Sequence, residues 1–337
     1  MAEEFWDTVI LGAGPVGLVT ALAAARYGSV LVMSPQVQHG GCVGRVDAVP
    51  LALLALFVEF GLHPSEIKAA ETHEYRLAAW ENKTPELVRG AATVHIERPL
   101  LERSLIALAR RHPAITIRFG DLPSRWPAAR MRLDATGRRA VSADRRLAPA
   151  NPAICRTYIM SGEDFSKSLQ ALRIAALPTG YAYRIGTRRS LILGIVQGRN
   201  EWASPMKDLA GGLRPYAADW LLAGIDTNRL TPGIGGHASI QWAIGPATPV
   251  RIGDAAFARD ALASQGIANG ISGGLMVLAG ASSTSDWSRH LNAEAIAHLA
   301  NLRNMISVCC YADRPYWSNH AYALADIQHQ IMMALTR

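Results

Sequence analysis

Asp7-Thr-Val-Ile-Leu-Gly-Ala-Gly-Pro-Val-Gly17, continued by Leu-Val-Thr-Ala-Leu-Ala-Ala-Ala25, decides the fold. The apolar run that stops at Gly12 reads as a strand buried on both faces of a parallel sheet. Gly14-Pro-Val-Gly17 then opens an Ala-rich helix that runs to about Tyr27. Pro15 suits the first turn of a helix, where a missing N–H costs nothing. Ser29-Val-Leu-Val-Met33 follows as a second strand, which completes a β–α–β unit. In such a unit Gly12 allows the tight turn, Gly14 lets backbone approach a pyrophosphate, and Gly17 lets helix and strand pack closely. The helix N-terminus then faces the anion. Gly12, Ala13, Gly14, Pro15, Val16 and Gly17 are therefore assigned to a dinucleotide. The alternative for an isolated G-x-G-x-x-G is a ligand-free turn, but the strand before it and the helix after it are the context that confirms the motif. An acidic residue is expected about 20 residues on. Ser34 stands there instead, and its hydroxyl would hold a ribose less strongly than a carboxylate.

Beyond this unit, Val49 to Phe60 reads as an apolar helix ending at Gly61, and residues 63–95 as strands reaching away from it. Pro99 to Arg111 carries apolar residues at helical spacing. Ile115-Thr-Ile-Arg-Phe119 and Met131-Arg-Leu-Asp134 read as further strands, the second closed by Ala-Thr-Gly137. From about Leu147 to Ile244, alternating runs such as Tyr181-Ala-Tyr-Arg-Ile185 predict an antiparallel sheet. Val250-Arg-Ile252 leads as a strand into Gly253-Asp254. A small-residue helix follows from about Gly266, and the chain is helical from Ser285, broken at Arg314-Pro315. Parallel and antiparallel parts interleave. The expected fold is α/β: a discontinuous Rossmann-type domain of residues 1–62, 96–146 and 245–284, with an inserted antiparallel-sheet substrate domain of residues 63–95 and 147–244. Residues 285–337 form a helical C-terminal region.

Composition narrows the class. Half of the 337 residues are hydrophobic, enough to bury a sizeable core and exclude disorder. The net charge is +7, and all basic residues except Lys68, Lys83, Lys167 and Lys207 are Arg. These arginines are scattered in pairs rather than gathered in a run, so a nucleic-acid partner is not expected. The four cysteines form no C-x-x-C, and no metal site is expected. Neither a signal peptide nor a bilayer-length apolar run is visible, which places the protein in the cytoplasm.

Gly253-Asp254-Ala-Ala, followed by Gln265-Gly266-Ile267, is a second glycine-rich turn about 240 residues after the first. NAD does not need it, but the longer FAD molecule does. In order, Gly12-x-Gly-x-x-Gly17, Asp134-Ala-Thr-Gly137, Gly253-Asp254-Ala-Ala and Gln265-Gly266-Ile267 resemble the flavin-dependent aromatic monooxygenases of the p-hydroxybenzoate hydroxylase fold and their halogenase relatives. The resemblance implies FAD as cofactor. It implies that Asp254 bonds the flavin ribityl chain and that Gln265, Gly266 and Ile267 lie against the isoalloxazine. Ala135, Thr136 and Gly137, together with Arg45 and Arg98, join the implied cofactor set. The Val49-Pro50…Gly61 and Leu77…Glu81 segments are similar to flavoproteins that hydroxylate a tryptophan in a partner polypeptide, the maturases of cysteine tryptophylquinone enzymes.

The resemblance therefore implies an FAD-dependent oxidoreductase. It would hydroxylate an aromatic or indole group, free or polypeptide-borne, through a flavin C4a-hydroperoxide. Electrons would come from NAD(P)H or a separate flavin reductase. His237 and His73 are candidate bases near neutral pH, and Tyr183 and Trp242 candidate stacking partners for the substrate ring. The rival readings are an FAD-dependent halogenase, an FAD-dependent reductase or dehydrogenase, and a non-catalytic flavin-binding partner protein. For the halogenase, the paired-Trp motif is absent and Lys83 is the nearest stand-in for a catalytic lysine.

Overall fold

The computed structural model describes residues 4–35, 46–67, 72–162, 165, 172–200, 218–233, 235–246, 248–263, 266–280 and 284–335. In chain order, the first half holds β1 (Trp6–Leu11), α1 (Pro15–Ala24), β2 (Val30–Ser34), β3 (Val46–Pro50), α2 (Leu51–Glu59), β4 (Thr72–Ala79), β5 (Glu86–Glu97), α3 (Arg98–Arg111), β6 (Ile115–Phe119), β7 (Ala129–Asp134) and β8 (Arg145–Leu147). Then come β9 (Ala153–Ser161), β10 (Leu172–Leu177), β11 (Gly180–Gly186), β12 (Ser190–Gly198), α4 (Ala218–Leu222), β13 (Thr231–Pro232), β14 (Gly236–His237), β15 (Gln241–Ile244), β16 (Val250–Arg251) and β17 (Phe257–Ala258). Three helices close the chain: α5 (Gly266–Leu278), α6 (Thr284–Ser307) and α7 (Pro315–Leu335).

The β–α–β expectation holds. β1 lies between β7 and β2 in a parallel sheet of order β16-β7-β1-β2-β6. Successive residues of β1 serve opposite faces. Ile10 packs with Val32, Leu133 and the helices α1, α3 and α5. Val9 and Leu11 pack with Trp6 and Leu31 on the other side. That double burial is why the strand reads as a continuous apolar run.

One expectation is corrected. The apolar stretch from Val49 is not all helix, because Val46–Pro50 pairs antiparallel with β5 and the helix starts at Leu51. Pro50 disfavours helical backbone in the residue before it, so Val49 stays extended. Gly61, at φ 87°, terminates the helix in the left-handed conformation that glycine adopts without strain.

The second sheet runs β13-β9-β12-β11-β10-β4-β5-β3. Its pairs are antiparallel except β10 with β4. One face carries Ile174, Tyr181, Tyr183 and Val196, which pack with Trp317 of α7 and Leu299 of α6. The register sets Ala182 and Ala175 on the opposite face, with Leu193 and Leu221. β17, β15 and β8 form a third, small sheet. Among the described residues, no helix is long and apolar enough to cross a membrane.

Candidate cofactor groove and its surroundings

The first turn is built by absent side chains. Gly12 has φ 109°, and a Cβ there would lie 2.3 Å from the Ala135 carbonyl oxygen. A Cβ on Gly17 would lie 2.0 Å from the Gly12 carbonyl oxygen. Both positions therefore exclude any other residue for reasons internal to the protein. Gly14 differs: a Cβ there would meet nothing within 4 Å. No side chain caps the first turn of α1. An open space before uncapped backbone N–H groups fits a pyrophosphate.

Asp134 is fully buried and locks the neighbouring turn. Its Oδ1 accepts from the Thr136 N–H at 2.9 Å and hydroxyl at 2.6 Å, and its Oδ2 from the Ser142 N–H at 2.9 Å and hydroxyl at 2.7 Å. Ala135 donates its N–H to the Leu11 carbonyl at 2.8 Å. Asp134 and the Thr136 side chain thus fix the loop Ala135–Gly137 beside Gly12.

The second glycine-rich turn sits on the first. Gly253 has φ 59°, and its Cβ would stand 3.2 Å from Val16. On α5, a Cβ on Gly270 would lie 2.6 Å from Val16 and one on Gly274 2.2 Å from Thr20. Val16 therefore touches both the Gly253 turn and α5. The start of α5 adjoins Asp254, since a Cβ on Gly266 would be 3.5 Å from its Oδ1. Ile267 is buried in the core beneath. Ser34 is buried at the end of β2. Arg45 and Gln265 lie outside the described residues.

Arg98 opens α3 and is held by residues the sequence reading missed. Its Nε and Nη2 donate to the two oxygens of Asp47 at 2.5 and 2.9 Å, and Glu102 stands at 3.8 Å. Burial opposes the guanidinium charge. Asp47, Glu102 and Asp254 outweigh it, so its pKa is raised. Arg138 was also missed. It donates to the carbonyls of Ser239 and Arg259, and its Nε lies 3.9 Å from Asp254. Arg98 and Arg138 thus put two cations near Asp254.

The four substrate and base candidates separate. Tyr183 shares its sheet face with Tyr181, and its hydroxyl is 3.5 Å from the Cys155 thiol. His73 is buried on the opposite face, where its ring stacks on His95 at 4.7 Å. His95 donates from Nδ1 to the Gly186 carbonyl, 2.9 Å away, and burial lowers its pKa to about 4. His237 is exposed on β14, paired with Ile154 of β9. Trp242, on β15, is buried against Phe257 at 5.5 Å and lines a small cavity. Lys83 lies over the Tyr311 ring at 5.3 Å.

No family model matches the chain, and no curated protein matches it in sequence. Solved structures do match. One is the peptidyl tryptophan dihydroxylase QhpG, essential for tryptophylquinone cofactor biogenesis, with TM-score 0.70 and 18% identity over 94% of this chain and 79% of that one. Another is the myxobacterial chondrochloren halogenase CndH, an FAD-dependent halogenase, with TM-score 0.71 and 18% identity over 94% and 86%. The fold is that of the flavin-dependent monooxygenases and halogenases. PqsL of Pseudomonas aeruginosa, a probable FAD-dependent monooxygenase, shares this flavoprotein fold with TM-score 0.64 and 14% identity over 96% of this chain and all of that one. Identities this low carry the fold, while the chemistry rests on the residues themselves.

Proposed function

We propose that this protein binds FAD and uses it to oxygenate an aromatic or indole group. One observation carries the reading: Val16 is packed at once against the Gly253 turn and against α5. The two glycine-rich turns therefore lie side by side, as a molecule with phosphates at one end and a flavin at the other would require. Gly12 to Gly17 would take the pyrophosphate. Asp254, flanked by Arg98 and Arg138, would meet the ribityl chain, and the first turn of α5, from Gly266 and Ile267, would face the ring. Ser34 would contact the adenosine ribose, and the backbone of Ala135 to Gly137 would wall the groove. Arg45 and Gln265 keep their proposed roles at the phosphates and the ring.

Reduced flavin, when bound, would supply two electrons to dioxygen, so that one oxygen atom could enter the substrate ring and the other leave as water. The chain's own task is to orient the ring and keep the site dry. Tyr183 is the proposed ring contact. His237 and His73 share the sheet face away from Tyr183, so a base role for either requires a substrate that reaches around that sheet.

The likeness to QhpG, which acts on a peptidyl tryptophan, favours an indole carried by a polypeptide. Halogenation is the second reading, supported by the likeness to CndH. The engagement of Lys83 with Tyr311 speaks against Lys83 as its catalytic lysine. The test is turnover of the flavin-loaded protein, supplied with a flavin reductase, on a tryptophan-containing peptide under isotopically heavy dioxygen, with and without bromide. Heavy oxygen in the product supports hydroxylation. A bromide-dependent product mass supports halogenation, and turnover without dioxygen defeats both.

A further inference from the structure

A cavity of about 170 Å³ lies where β15 and β16 meet α6, and none of its walls belongs to the groove just described. Two indoles form its sides. Trp287 is fixed, since its Nε1 donates to the Arg251 carbonyl at 3.1 Å and its ring lies where a Cβ on Gly273 would come within 2.6 Å. Trp242 is fixed by burial and by Phe257. Neither ring can turn away to close the space.

The polar groups at this cavity are the informative part. Ser288 and Asn292 sit one helical turn apart on α6, so they share a face. Neither side chain, nor the Trp242 Nε1, bonds to any described residue. Arg251 also lines the cavity, and three of its five N–H donors are engaged. They serve the carbonyls of Ser142 at 3.3 Å, Pro246 at 3.1 Å and Gly245 at 3.1 Å. Half-burial lowers its pKa, opposed by Asp134 and Asp144. The site thus offers two indole walls and two neutral side chains without a described partner, while the Arg251 charge is already faced by Asp134 and Asp144.

We propose that this cavity binds a small neutral aromatic molecule of one or two rings that carries a single hydrogen-bonding group, in the class of indole or phenol. The size agrees, because an apolar cavity of about 150 Å³ accepts benzene. The two indoles would take the faces of the guest by offset or edge contact, and Asn292 or Ser288 its N–H or O–H. This proposal stands apart from the flavin reading. It would hold for a protein that never binds FAD.

The test uses 5-fluoroindole as probe, followed by fluorine NMR, on the full chain with and without added FAD. Saturable binding is expected in both conditions. Asn292→Leu keeps the volume but loses the amide, and should weaken binding on the order of tenfold, the effect of one hydrogen bond. Asn292→Phe should fill the space and abolish binding. Ser288→Leu is the second variant, and each is checked for an unchanged thermal midpoint. Fluoroindole-3-carboxylate should bind more weakly than fluoroindole. Absence of saturable binding, binding untouched in Asn292→Phe, or displacement of the probe by FAD would overturn the proposal. So would tighter binding of the carboxylate.

Discussion

Asp260 and His320 face each other in the interior, with His320 Nε2 3.4 Å from Asp260 Oδ2. Asp260 follows β17 and His320 lies on α7, so the contact ties the C-terminal helix to the segment just beyond the Gly253 turn. Burial alone would raise the Asp260 pKa. The hydrogen bond and charge of His320, with the Leu262 N–H at 3.0 Å, outweigh it and hold the carboxyl below its ordinary value. Tyr316 stacks on His320 at 5.9 Å.

The pH consequence has a definite sign. A carboxyl with a depressed folded pKa contributes stability above its ordinary value of 3.8, and that contribution is lost as pH falls through the folded value. We expect Asp260→Asn to cost about 1–3 kcal/mol near neutral pH, since it removes the buried carboxylate that the His320 ring and the Leu262 N–H share. The gap from wild type should narrow as the solution is acidified. Thermal midpoints of both proteins against pH check this, and a constant gap would remove Asp260 as its source.

Gly14 and Gly17 should behave oppositely. Gly14→Ala meets no protein atom within 4 Å, so the apo protein should lose no more than about 1 kcal/mol. Its FAD affinity should fall at least about tenfold, or 1.4 kcal/mol. Gly17→Ala drives a methyl into the Gly12 carbonyl and should destabilise the apo protein itself by about 1–3 kcal/mol. Apo midpoints and flavin titrations separate the two effects.

Arg98 and Asp47 form a two-point ion pair whose side chains are 12% and 22% exposed. Arg98→Met leaves Asp47 without its fork of donors, and we expect a loss of about 3 kcal/mol in denaturant unfolding. Arg98→Lys should recover only part of it, because an ammonium cannot reproduce the planar pair. Full recovery by lysine would show that charge alone matters here.

Much of this was legible in the sequence because it is local. Gly12, Gly14 and Gly17 sit on one turn, and their spacing is the shape of the turn. Gly253 and Gly270 were legible as small residues, although their common neighbour Val16 was not. What escaped depends on distant pairing. Asp134 looks like the end of a strand until Ser142 folds back onto it. Arg138 reads as half of a surface pair until it meets the Ser239 and Arg259 carbonyls. Asp47 gives no sign of Arg98, nor Asp260 of His320. The sheet face of His73 follows from a register that shifts between His73 and Tyr75, so its side relative to Tyr183 cannot be counted from sequence spacing.

The central claim is that the groove between Gly12 and Gly253 holds FAD. Its most direct test is the visible absorption spectrum of the protein purified with excess FAD and then desalted. We predict the two flavin bands at close to one equivalent, and their weakening in Gly14→Ala while the apo protein loses no more than about 1 kcal/mol. A folded protein that stays colourless after exposure to FAD would contradict the account.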